Sequence, residues 1–92
     1  MSTETLEILK PSDTDTTGEA RVILFNDEWH SFDEVIFQLI RAIHCSHKVA
    51  EQMANTVHNS GKCKVYEGAV EECLSVSAVL EEIDLKTSID FS

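Results

Sequence analysis

Four consecutive apolar residues, Val22-Ile23-Leu24-Phe25, end abruptly at Asn26-Asp27-Glu28. A short apolar run closed by polar side chains reads as a buried β-strand. Its exit carries three groups able to gather around a cation. His58 follows some thirty residues later, just before Gly61-Lys62, at what reads as a helix end. An ammonium group offers only hydrogen-bond donors, so it is met by amide and carboxylate oxygens and by an unprotonated imidazole nitrogen. Asn26, Asp27, Glu28 and His58 are therefore candidates for binding a small positive group. On spacing alone, Asn-Asp after a strand is also the signature of a turn closed by Asx hydrogen bonds. A histidine at a helix end likewise serves the helix dipole.

Size and charge narrow the function classes. The 92 residues, 42% of them hydrophobic, suit one small domain with a modest core. No stretch approaches the roughly 20 apolar residues of a membrane helix. Met1-Ser2-Thr3-Glu4 lacks the basic and apolar regions of a secretory signal, so a cytoplasmic protein is expected. Seventeen acidic residues against seven Lys and Arg leave a net charge of −10. That balance disfavours nucleic acid and anionic membranes, both of which require clustered cations. Arg41, Lys48, Lys62 and Lys64 are too scattered to form such a surface. Cationic ligands and basic partner surfaces are the natural counterparts.

Enzyme chemistry finds little support. Cys45, Cys63 and Cys73 are expected to be buried free thiols, with no visible base partner. No Gly-rich phosphate loop is present. His44-Cys45-Ser46-His47 offers metal-ligand types but lacks a second spaced pair, unless Cys63, Cys73 or His58 converges on it. No cofactor and no metal are expected, and nothing demands more than a monomer.

Residues 1–19, rich in Thr, Asp, Glu and Ser, are expected to form a flexible acidic tail, with the folded domain spanning 20–92. Arg21 to Phe25 is the first strand. Ser31-Phe32-Asp33-Glu34 fits a capping box, and a helix follows with Phe32, Val35, Ile36, Leu39, Ile40 and Ile43 on its apolar face. Ser46 caps a second helix carrying Val49, Ala50, Met53, Ala54 and Val57, which Gly61 ends in the left-handed conformation. A second strand covers Lys62 to Tyr66. A third helix runs from near Gly68 to about Ile83, with Val70, Cys73, Leu74, Ser77 and Leu80 at helical spacing. Thr87 to Phe91 closes the chain as a strand. The order βααβαβ predicts an α+β fold with three helices on a small three-stranded antiparallel sheet.

Taken together, Leu24-Phe25-Asn26-Asp27-Glu28, Phe32, Val35 and Val57-His58 before Gly61-Lys62 resemble the Clp protease adaptor family ClpS. They are also similar to the ClpS-like domain of N-recognin ubiquitin ligases. The resemblance covers about residues 20–91. It implies a non-enzymatic adaptor that binds the N-terminal residue of proteins marked for degradation and delivers them to an AAA+ unfoldase with its peptidase. It places the substrate's α-amino group among Asn26, Asp27, Glu28 and His58. A bulky hydrophobic first side chain would enter a pocket mapped onto His30, Phe32, Val35, Ala54 and Val57, with Leu39 and Met53 as further members.

Departures from the bacterial pattern accompany the match. Ala54 stands where a large Met is common, which should enlarge the pocket, whereas Phe32 should narrow its gate. His30 replaces the usual Thr and is expected to add a polar rim. Glu28 is one methylene longer than the usual aspartate. The third helix lacks the lysine with which bacterial adaptors dock on their unfoldase; Ser77 lies near that position. Lys64-Val65-Tyr66-Glu67-Gly68-Ala69 looks closer to the ligase version of the domain. The competing class is a structural interaction module that binds an unfoldase or another protein through its acidic surface without degron recognition.

Overall fold

The computed structural model describes residues 19–91; the proposed tail, apart from Glu19, lies outside the described residues. In chain order the elements are β1 (Ala20–Phe25), α1 (Phe32–Ile43), α2 (His47–Ser60), β2 (Lys62–Gly68), α3 (Val70–Glu81) and β3 (Thr87–Phe91). The α+β class and the βααβαβ order match the expectation from sequence. The strands form one antiparallel sheet in the order β2-β1-β3. β1 pairs along both edges, which places its exit at the centre of the molecule.

The apolar run of β1 is buried on one face only. Ala20, Val22 and Leu24 are fully buried, while Arg21, Ile23 and Phe25 face the open side of the sheet. An antiparallel sheet covered by helices on one face produces this alternation. The reading of the run as uniformly buried is thus corrected to half-buried. β2 carries a bulge: Val22 pairs with Tyr66 and Ile23 with Lys64, leaving Val65 as the extra residue. The bulge explains why the sequence of β2 does not alternate cleanly.

Capping sets the helix boundaries. At α1, Ser31 Oγ accepts the Glu34 N–H at 3.1 Å, and Glu34 Oε1 accepts the Ser31 N–H at 2.7 Å. Ser46 Oγ accepts the Val49 N–H at 3.2 Å at the start of α2. Gly61, at φ 90°, ends α2 with its N–H donated to the Val57 carbonyl. His44 ends α1 in the same left-handed region at φ 56°, a boundary with no glycine to announce it. Replacing Ser31 by alanine removes a cap and should lower stability by about 1 kcal/mol, read as a shift of the urea midpoint at constant slope.

The core joins Val22 and Leu24 of β1 to Ile36, Leu39, Ala50, Ala54, Val57, Val76 and Leu80 of the helices. Two buried polar side chains are hydrogen-bonded across elements. Gln38 Nε2 donates to the Val79 carbonyl at 2.6 Å, which binds α1 to α3. Ser77 Oγ lies 2.6 Å from Thr87 Oγ1, and the Glu81 carboxylate lies within hydrogen-bond reach of both hydroxyls, at 3.2 and 2.8 Å. Ser77 therefore joins α3 to β3 inside the molecule and does not lie on an outer docking face. Leu74, expected on the apolar stripe of α3, is 55% exposed.

Candidate functional site

β1, α1 and α2 meet around one open cavity of about 420 Å³. That volume falls in the range of small-ligand sites, roughly 300–1,000 Å³. Asn26, Asp27 and Glu28 line it from the exit of β1, Ser31, Phe32 and Val35 from the start of α1, and Ala54, Val57 and His58 from the end of α2. His30 completes the lining. The spacing within each helix is what allows this. Phe32 and Val35 are three apart, and Ala54, Val57 and His58 follow an i, i+3, i+4 pattern, so each set shares a helix face.

The β1 exit contributes only polar groups, the start of α1 the apolar Phe32 and Val35, and the end of α2 both kinds. Phe32, Val35, Ala54 and Val57 form the apolar wall. Asn26, Glu28 and His58 bring unsatisfied acceptors: among the described residues, no hydrogen bond engages any of their side-chain polar atoms. The Asn26 N–H donates to the Gly61 carbonyl at 2.9 Å. This bond draws the end of β1 against the turn after α2 and brings Asn26 to the same place as His58. The C-terminal end of a helix carries partial negative charge, so the end of α2 adds to the attraction for a cation.

Asp27 stands differently. Its Oδ1 accepts the backbone N–H of Trp29 at 2.9 Å and of His30 at 3.0 Å. Its Oδ2 lies 2.7 Å from His30 Nδ1. The turn geometry weighed from sequence is present here, and it absorbs most of this carboxylate. Burial would raise the Asp27 pKa, but the His30 and Trp29 N–H groups and the His30 ring outweigh it and hold the carboxyl below its usual range. His30 Nε2 is bonded to the Ile83 carbonyl in the α3–β3 connection. Burial would lower the His30 pKa, but the Ile83 carbonyl and the Asp27 carboxylate outweigh it and raise it.

Two sequence expectations change accordingly. Both His30 nitrogens are engaged by the protein itself, so His30 lines the cavity without giving it a free polar rim. Leu39 is fully buried in the core, and Met53 packs half-buried against it, so neither lines the cavity. Sequence reasoning did not find Ser31 as a lining residue or the Ile83 carbonyl as the anchor of His30. The Ser31 capping box was the available signal for the first. The second joins positions 53 residues apart and has no local signature.

The other chemistry-bearing residues do not assemble into a centre. Among the described residues, no group of three or more His, Cys, Asp or Glu is placed to hold a metal ion. Burial raises the pKa of the Cys63 and Cys73 thiols, which disfavours the reactive thiolate. Among the described residues, no helix is long and apolar enough to cross a membrane.

Comparison with known proteins points in one direction. The family model for the ATP-dependent Clp protease adaptor protein ClpS matches residues 15–88. The chain is 35% identical to the E3 ubiquitin-protein ligase UBR2 of Mus musculus across 84% of its own length and 4% of the ligase. It is 30% identical to the E3 ubiquitin-protein ligase ubr-1 of Caenorhabditis elegans across 95% of its length and 4% of that ligase. The chain thus spans only a small fraction of these curated relatives. Agrobacterium tumefaciens ClpS2 bound to L-phenylalaninamide shares the fold at a TM-score of 0.70 and 16% identity, covering 82% of this chain and 99% of that one.

Proposed function

Because the chain belongs to the ClpS adaptor family, we propose that it is a non-enzymatic receptor for protein N-termini that begin with a bulky hydrophobic residue. The observation that carries this reading is the cavity itself. Acceptors of Asn26, Glu28 and His58, unbonded among the described residues, line the same cavity as the apolar Phe32, Val35, Ala54 and Val57. An N-terminal residue has the matching chemistry, an ammonium and an apolar side chain on the same Cα. Asn26 and a neutral His58 accept from the ammonium, and Glu28 supplies the charge-assisted contact. Asp27 contributes negative charge while organising the loop. The binding of phenylalaninamide by ClpS2, a free α-amine on an aromatic residue, fits the same chemistry.

The captured protein is handed to a degradation machine, in the adaptor reading an AAA+ unfoldase of the Clp type. A ubiquitin-ligase context is the second reading. The ligase relatives at 30–35% identity favour it, as does a helix α3 that lacks a docking lysine. Three free cysteines suit a reducing compartment such as the cytoplasm.

The deciding experiment titrates the chain with a short Leu-initial peptide, its N-acetylated twin and a Gly-initial control. The free-amine Leu peptide should bind, with acetylation or loss of the side chain each lowering affinity at least about tenfold. Equal affinity across the three peptides overturns the reading and favours a protein partner of the acidic surface.

A further inference from the structure

We propose that His30, held as an imidazolium between the Asp27 carboxylate and the Ile83 carbonyl, positions the Asn26–Glu28 loop for ligand and sets an upper pH limit on binding. The inference rests on reading the cavity as a receptor for an α-amino group. Its foundation is the geometry of two hydrogen bonds. His30 Nδ1 meets Asp27 Oδ2 at 2.7 Å, and His30 Nε2 meets the Ile83 carbonyl. A carbonyl oxygen only accepts, and so does an ionised carboxylate. Each ring nitrogen must therefore carry a hydrogen, which makes the ring a cation.

That cation is well enclosed. The side chains of His30 and Asp27 are only 11% and 16% exposed. One end of the link organises the loop, since the same Asp27 carboxylate accepts the N–H groups of Trp29 and His30. The other end fastens the loop to the segment between α3 and β3. Asn26 and Glu28 flank Asp27, so their orientation toward the cavity depends on this fastening. Loss of one proton turns a donor into a lone pair facing an oxygen, and one of the two ties is lost.

The nearby carboxylates Asp27 and Glu34 favour the cation. Asp27 and Glu28 lie on its own loop, Asp33 and Glu34 in the first turn of α1, and Glu82, Asp84 and Lys86 in the α3–β3 connection. His58 lies across the cavity lining. Asp27 and Glu34 both raise the proton affinity of His30. His30 holds its proton more tightly folded than unfolded, so its stabilisation is complete below the unfolded pKa and lost as pH rises through the folded value. Asp27 has the opposite sign: its stabilisation is present above the unfolded carboxyl pKa and lost as pH falls through its lowered value. Binding is expected to pass through a maximum with pH.

The test compares the full chain with its His30→Gln variant, using the Leu-initial peptide and its N-acetylated twin from about pH 5.5 to 9. Deprotonation of the free peptide amine affects both proteins alike and cancels in the affinity ratio. His30→Gln should bind about tenfold more weakly at the acid end. The ratio should close toward one as pH passes the His30 titration seen by ring NMR. A ratio constant with pH overturns the proposal, because packing alone does not titrate. A His30 ring already neutral at neutral pH overturns it as well. If neither protein separates the free from the acetylated peptide, the N-terminus reading fails, and the amide signals of Trp29 and His30 then decide. Their movement with the ring titration supports the link; independence from it overturns the link.

Discussion

Asn26→Ala combined with His58→Ala should lower the affinity for a free-amine Leu peptide by about 100-fold or more, with the thermal midpoint almost unchanged. Hydrogen bonds to charged groups contribute about 1.5–3 kcal/mol each, and the two substitutions remove two acceptors of one ammonium. Each single substitution should cost about tenfold. The fold should tolerate both, because neither side chain is hydrogen-bonded among the described residues. Asn26 holds its place through its backbone N–H to the Gly61 carbonyl, and alanine keeps that donor. Calorimetric titration beside a thermal melt separates the outcomes. An affinity change below about threefold locates the ammonium elsewhere. Loss of binding together with unfolding means that these side chains hold the turn. Asp27→Ala makes an instructive contrast, since that carboxylate accepts two backbone N–H groups and should affect the loop and the ligand together.

The second large effect is on stability. Leu24→Ala should destabilise the domain by about 3–5 kcal/mol, through lost burial and the cavity left behind. Leu24 is fully buried on the central strand. A domain of this size is stable by only about 4–10 kcal/mol, so the variant should be marginally folded at room temperature. Ile23→Ala, one residue away on the open face of the same strand, should cost no more than about 1 kcal/mol. Chemical denaturation of the pair checks both values. Equal costs would mean that the open face of the sheet is covered.

Much of this architecture is legible in the sequence because its signals are local. Ser31 with Glu34, Ser46 with Val49, and Gly61 each satisfy helix-end groups within a few residues, so spacing alone reveals them. Ala54, Val57 and His58 share a face by helical periodicity, and Asn26-Asp27-Glu28 marks a strand exit. Where local signals conflict with packing, packing prevails. Leu74 fits the apolar spacing of α3 yet stays outside, while Ser77 goes inside because Thr87 and Glu81 meet its hydroxyl. Val65 is the bulged residue of β2, a consequence of pairing register that β2 alone does not encode.

The division at the site follows the same physics. Which residues could meet an ammonium was determined by the sequence itself, because acceptor chemistry belongs to side chains and helical spacing groups them. The tertiary structure decided how the acids divide their roles. Asp27 turns inward to the loop and to His30, His30 reaches the Ile83 carbonyl, and Glu28 has no hydrogen-bond partner among the described residues. A hydrogen bond across 53 residues exists only once the sheet has brought the α3–β3 connection beside the exit of β1, and no local pattern announces it.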